Sequence, residues 1–337
     1  MRKTIWFDFT NVPHISFLQP FINLLEEKYN TIFSLRDFAE TEGLFRKKIN
    51  QPYFMAGKHK GNNKVSKVIG VFERAHLLNK ELPDFDLKIS VGGDASNIVA
   101  KWRGKKSITF DDNETAPNWR YSHFTDYAFW PKAIAVEKLI RQGFKLNRLY
   151  QYDGFKEDVY IADYVPDMAF LRKLPFDKYV VVRPENIQAN YLQSKQTSIV
   201  PALFNRLNKE CINVLFLPRY KEDRKYAEGY NNIFIPEGAV DGLDACYFSD
   251  AVITGAGTLA REAACMGVPA VSFYSGKNLL TVDKKLIDMK WLYHSRSAKD
   301  IYHYLINSSR KKRSLERSQQ VQEEVKQKLI EVIDILI

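Results

Sequence analysis

The chain has 337 residues, 45% hydrophobic and 27% charged, with a formal net charge of +10. That balance is ordinary for a folded protein, and the length fits two domains with proper cores. No apolar run approaches the ~18 residues a bilayer span needs, and Asp8 interrupts an apolar start too short for a signal peptide, so a cytoplasmic protein is expected.

Residues 4–9 read as a short apolar strand. Phe17, Leu18, Phe21, Ile22 and Leu25 then repeat at helical spacing. A strand follows at 31–35, a helix at 64–80 and a strand at 86–91 that ends in Gly92-Gly93. Residues 97–102 look helical, 106–110 extended, and 127–130 makes a further strand before Pro131. This alternation predicts a largely parallel sheet.

The rhythm breaks at about residues 143–177, where Gly143, Gly154, Pro166 and Pro175 fall and long periodic segments are missing, and 151–177 is taken as the connecting stretch. A linker is expected there, after an N-terminal domain of residues 1–150. The alternation restarts in a second domain, residues 178–310. Its strands are expected at 179–182, 214–217, 233–235, 251–254 and 270–273, with helices at 198–207 and 259–266. The tail, residues 311–337, carries Val321, Val325, Leu329, Val332 and Leu336 at helical spacing. An amphipathic helix docked on the protein's own core is expected. The fold class is therefore α/β, two doubly wound domains facing across a cleft, with a C-terminal amphipathic helix.

The strongest local signal is the segment 251–273. It reads as strand, glycine turn, helix, glycine stop and strand. Gly255 and Gly257 have no Cβ, so their backbone can come close to a ligand. Ala256 lies between them, and Thr258 opens the helix. A helix N-terminus behaves like roughly +0.5 charge and favours phosphate. Glu262 lies one turn further in, within reach of a ribose hydroxyl. A plain turn with no ligand would carry the same glycines.

Other polar clusters fall at the carboxyl ends of strands, where α/β sheets collect ligands. Arg183, with Pro184, Glu185 and Asn186, follows one strand, and Arg219 follows another. Both arginines suit a diphosphate, which a guanidinium pairs in bidentate fashion, or a surface ion pair. His14 begins a helix and fits either a general base with a neutral imidazole or a packed side chain. Asp111, Asp112 and Glu114 form an acidic cluster, with Asp112 a candidate to deprotonate a hydroxyl. A solvated loop has the same composition. His59, His76, His123, His294 and His303 sit in positions that read as structural.

Cys211, Cys246 and Cys265 have neither disulfide nor metal-ligand spacing and read as buried thiols. No metal and no cofactor is expected. The positive charge suits a nucleotide, an anionic lipid surface or nucleic acid. No zinc-finger, RNP or homeodomain pattern is present, so nucleic acid is not the expected partner. The basic run Arg310 to Arg313 reads as a solvated helix face or a membrane-surface contact.

The segment from Gly255 to Ala264, with Gly267-Val-Pro-Ala, resembles the donor-binding loop of GT-B proteins. These include the peptidoglycan N-acetylglucosaminyltransferases and the non-hydrolysing UDP-N-acetylglucosamine 2-epimerases. The resemblance implies that Gly257 and Thr258 hold a diphosphate and that Glu262 holds the ribose. The whole chain resembles a domain-of-unknown-function family from archaea and bacteria grouped with GT-B sugar enzymes. That match rests on Phe7-Asp8 with Pro13-His14, on 181–185 with Tyr191, on 217–220 and 240–243, and on Gly276-Lys277 with 282–284. One departure stands out. The transferases have a glycine-rich first loop ending in histidine, whereas Asn11-Val12-Pro13-His14 has no glycine.

The expected function is a glycosyltransferase that takes an NDP-sugar, UDP-sugar first, in polysaccharide or glycolipid synthesis. The acceptor is expected to be lipid-linked or a saccharide, with the inner face of an anionic membrane as a peripheral contact. Two other readings stay open: an NDP-sugar 2-epimerase or hydrolase on the same scaffold, and a non-catalytic binding protein of this shape.

Overall fold

A computed structural model describes residues 2–38, 41–58, 64–185, 197–238, 240–311 and 315–337. The chain forms two compact units, Met1–Ala162 with Glu316–Ile337, and Asp163–Leu315.

The first unit is built on β1 (Thr4–Phe9), β2 (Asn30–Asp37), β3 (Phe54–Lys58), β4 (Leu87–Val91), β5 (Lys106–Phe110), β6 (Tyr127–Pro131) and β7 (Leu149–Tyr152). They lie in the order β3-β2-β1-β4-β5-β6-β7, all parallel. The connecting helices are α1 (Val12–Leu25), α2 (Thr41–Lys48), α3 (Lys64–Glu81), α4 (Asp94–Trp102), α5 (Trp119–Ser122), α6 (Val136–Arg141) and α7 (Lys156–Ile161). β1 is buried on both faces, as a central parallel strand between helix layers must be. Asn11 caps α1 by accepting from the Val12 amide, and Pro13 in the first turn forfeits no helix bond.

The second unit repeats the plan. Its strands are β8 (Val180–Arg183), β9 (Val214–Phe216), β10 (Ile233–Phe234), β11 (Ala251–Thr254), β12 (Ala270–Ser272) and β13 (Leu292–His294). Their order is β10-β9-β8-β11-β12-β13, again parallel. Helices α8 (Val200–Lys209), α9 (Gly242–Phe248), α10 (Gly257–Met266), α11 (Thr281–Asp288) and α12 (Ala298–Ile306) connect them. Val182, Phe204, Phe216, Ile253 and Val271 centre its core.

The last helix, α13 (Glu316–Leu336), returns to the first unit. Val321, Val325, Leu329 and Val332 are buried. Arg317 donates to Asp158 on α7 at 2.7 Å, and Gln322 Nε2 donates to the Val159 carbonyl at 2.8 Å. A β-carbon on Gly154 would fall 2.5 Å from Val321, so that glycine lets the helix sit down.

The stretch 151–177 is therefore not a bare linker. It holds the end of β7, all of α7 and a helical turn over Met168–Lys173, and the chain crosses between units after Ala162. Elements this short carry no readable periodicity. Cys246 and Cys265 are buried as expected, but Cys211 is exposed, with φ 53° just past the end of α8. His59, Asn186, Tyr191, Lys312 and Arg313 lie outside the described residues.

Candidate functional sites at the two switch points

Each sheet reverses its winding beside its first strand, between β1 and β4 and between β8 and β11. Such switch points open a crevice beyond the strand ends. In the second unit the ends of β8 and β11 meet there. The Gly255 amide donates to the Arg183 carbonyl at 3.0 Å. A β-carbon on Gly255 would lie 2.4 Å from the Glu185 Cα, and one on Gly257 would lie 2.9 Å from Arg261 Nη1. Both glycines thus answer to packing beneath the turn as well as to the space above it.

Above the turn the surface is open. Ala256, Gly257 and Thr258 are partly exposed between buried neighbours. Ala256 is the N-cap of α10 and offers no side-chain cap, so the first amides of this ten-residue helix lack the partner that a Ser or Asp would supply. Thr254 Oγ1 accepts from the Ala256 amide at 2.9 Å and fixes the turn. Below, Arg261 pairs with Asp283 of α11 at 3.0 Å, and both are buried. Glu185 accepts from Ser198 Oγ at 2.9 Å and pairs with Arg296 at 3.2 Å.

Glu262 is partly exposed on α10. Its Oε2 lies 3.8 Å from where Gly242 would carry a β-carbon, so it borders the N-terminus of α9, which Asp241 caps. Arg183 closes β8 and is partly exposed. Arg219 lies past the end of β9. Asp223 accepts from its backbone amide at 2.9 Å, while its Nε has no hydrogen-bond partner among the described residues. Gly255, Ala256, Gly257, Thr258, Glu262 and Arg183 therefore share one switch point, and Arg219 stands at the neighbouring strand end.

The first unit concentrates titratable groups at its own switch point. Asp8, at the end of β1, is fully buried. Burial pushes its carboxyl up, but Arg74 and hydrogen bonds from Ser34 and Ser96 outweigh that and hold it low. Arg74 Nη1 donates to it at 3.0 Å from α3. His14 makes a 3.3 Å contact with Thr10 Oγ1. Desolvation and the nearby Lys156 and Arg36 cations push its imidazole down to about 3. It is neutral near pH 7 and a weak base.

Asp112 is buried and pairs with Lys156 at 2.9 Å. Its neighbour Asp111 is pushed up to about 6 by burial and by the Asp112 charge. Tyr121 Oη donates to Asp111 at 2.6 Å, and the amides of Asp112 and Asn113 also donate to it. Asp94, at the start of α4, is raised by burial and has Arg120 at 3.8 Å. Lys156 and Arg74 were invisible as site residues in the sequence: one falls in the supposed linker, the other on a helix face far along the chain. No cluster of three metal-ligating side chains occurs among the described residues.

Two parallel, doubly wound units with matching strand order define a GT-B fold. The chain belongs to the family described as protein of unknown function (DUF354), which matches residues 3–334. It is 28% identical over 318 residues to an uncharacterized protein of Methanocaldococcus jannaschii, covering 89% of this chain and 90% of that one. Its fold is similar to the UDP-N-acetylglucosamine 2-epimerase from Rickettsia bellii, with a TM-score of 0.73, 14% identity, and coverage of 99% of this chain and 96% of that one. It is also similar to the glycotransferase of kitacinnamycin, with a TM-score of 0.63, 10% identity, and full coverage of both chains.

Proposed function

We propose that this protein is a cytoplasmic glycosyltransferase that binds an NDP-sugar, UDP-sugar first, at the N-terminus of α10. The observation that carries this is the uncapped, partly exposed turn Ala256-Gly257-Thr258 at the second switch point, with Glu262 one turn inside. Amides there hold the diphosphate, and Arg183 and Arg219 neutralise charge as the nucleotide leaves. Glu262 holds the ribose.

The first unit handles the acceptor, a glycolipid or saccharide hydroxyl. His14 and Asp112 are its expected bases. Asp112 is already engaged in the ion pair with Lys156, and His14 is weakly basic. Asp111, with its pKa near 6, is the better matched proton acceptor at neutral pH.

Isothermal titration with UDP tests the donor site. Micromolar to millimolar binding that Glu262→Ala weakens by about ten-fold supports it. Absent binding at millimolar UDP, together with a Glu262→Ala variant that behaves identically, refutes it.

A second reading, an NDP-sugar 2-epimerase or hydrolase, draws support from the likeness of the fold to the UDP-N-acetylglucosamine 2-epimerase from Rickettsia bellii. Incubation of NDP-sugars without acceptor, followed by NMR, separates the two. Epimer or free sugar favours the second, and unchanged donor favours the first.

A further inference from the structure

The first unit holds one arginine whose donors find no acceptor. Arg36 lies at the carboxyl end of β2, two residues past Ser34 and so on the face that carries Asp8. It is partly exposed. Among the described residues it donates no hydrogen bond and makes no ion pair, and its Nε is buried without a partner. A guanidinium has five N–H donors, and a buried one left unmatched calls for a physical reason. The Phe38 ring, with its centroid 5.0 Å away, offers a π face but no oxygen.

The packing around Arg36 explains why it is left over. Pairing between β2 and β3 slips at this point: Leu35 lies opposite Met55, but Asp37 lies opposite Lys58. The extra residue is on β3, where Gly57 takes φ 79°. A β-carbon there would fall 2.9 Å from Arg74 Cδ, so the glycine clears the way for the Arg74 side chain. Arg74 then grips both oxygens of Asp8, with Nη1 on Oδ2 at 3.0 Å and Nη2 on Oδ1. Ser34 Oγ adds a bond at 2.6 Å, and Ser96 adds another. The acceptor sites of Asp8 are thus taken. The other carboxylate that Arg36 feels is Asp94, which Arg120 faces at 3.8 Å. Arg74 answers Asp8 and Arg120 answers Asp94, so Arg36 is the surplus cation. It also stands close enough to His14 to act on it: burial, Lys156 and Arg36 together push that imidazole down.

We propose that Arg36 anchors an oxyanion, a phosphate or carboxylate group, on the sugar bound at the first switch point. Its fork of N–H donors matches the paired oxygens of such a group. The inference rests on the reading of the first unit as the acceptor half, and it makes the acceptor an acidic saccharide. It uses no residue of the nucleotide turn.

Isothermal titration of the full chain with glucose 1-phosphate, glucuronate and glucose tests it. At least one of the two anions should bind with a dissociation constant of about 1 mM, and glucose should not. The tighter anion identifies the group as phosphate or carboxylate. Arg36→Met should weaken that binding by about ten-fold or more, and Arg36→Lys, which keeps the charge but loses the fork, by less. Asp94→Asn should strengthen it, since it removes a negative charge that Arg36 feels. All three variants should keep the parent's response to UDP, so failure of the donor site and failure of the oxyanion site give different results. Equal anion binding by the parent and Arg36→Met overturns the proposal, as does no binding of either anion at about 10 mM. A marked fall in the melting temperature of Arg36→Met also overturns it, because the guanidinium would then have a partner within the free protein.

Discussion

A β-carbon on Gly255 would lie 2.4 Å from the Cα of Glu185. The ends of β8 and β11 therefore touch backbone to backbone, and the phosphate-loop candidate rests directly on the neighbouring strand. Gly255→Ala must push β11 away from β8, at a cost of about 3 kcal/mol. Gly238, with nothing within 4 Å of its β-carbon position, is the control, and Gly238→Ala should leave stability almost unchanged. Urea unfolding of the two variants checks this, and similar midpoints would refute it.

The Arg261–Asp283 pair ties α10 to α11 under the same turn. Removing one partner leaves the other charged and buried. Arg261→Met alone should cost about 3–5 kcal/mol, and adding Asp283→Leu should recover part of that loss. Equilibrium unfolding of both single variants and the double variant measures the coupling.

Lys88 is fully buried on β4 and donates to Asn97 Oδ1 at 3.0 Å. Burial pushes its amine down to about 7. Between that value and its ordinary value near 10.5 the unfolded chain binds more protons than the folded one. Stability from this residue is thus present at high pH and lost as pH falls through about 7. Relative to the parent, Lys88→Met should gain stability as pH falls from 10 to 7, by about 1.4 kcal/mol per pH unit, and level off below. Thermal melts across that range give the slope.

Asp111 works with the opposite sign. Its carboxyl is raised from 3.8 to about 6, so the folded state holds the extra proton. The stability it contributes is present below pH 4 and lost as pH rises through about 6. Asp111→Asn should therefore stabilise the protein at pH 7 and be nearly neutral at pH 4. Comparing melting temperatures at the two pH values checks it. The same variant should lose turnover, about a hundred-fold or more, if Asp111 moves the proton.

Much of the fold was legible because burial writes itself into runs of residues. Thr4 to Phe9 and Ala251 to Thr254 are mostly apolar runs buried on both faces, and both are strands to the residue. The turn at Gly255 and the stop at Gly267, which has φ 76°, bound α10 as their chemistry requires. The edges were less readable. β3 and β7 pair on one side only and carry Gly57 or tyrosines in place of a long apolar run. α7 has six residues, too few to show a period.

The sequence by itself determined the alternating α/β plan, the glycine turn before α10, and the acid that follows one helical turn later. These are local matters of spacing, φ and missing side chains. Only the tertiary structure decided that Gly255 makes room for Glu185, that Asp112 answers to Lys156, and that Lys88 is buried rather than facing solvent. Those pairings join residues tens of positions apart. A charge or a missing β-carbon takes its meaning from whatever the folded chain sets beside it, and linear order does not carry that information.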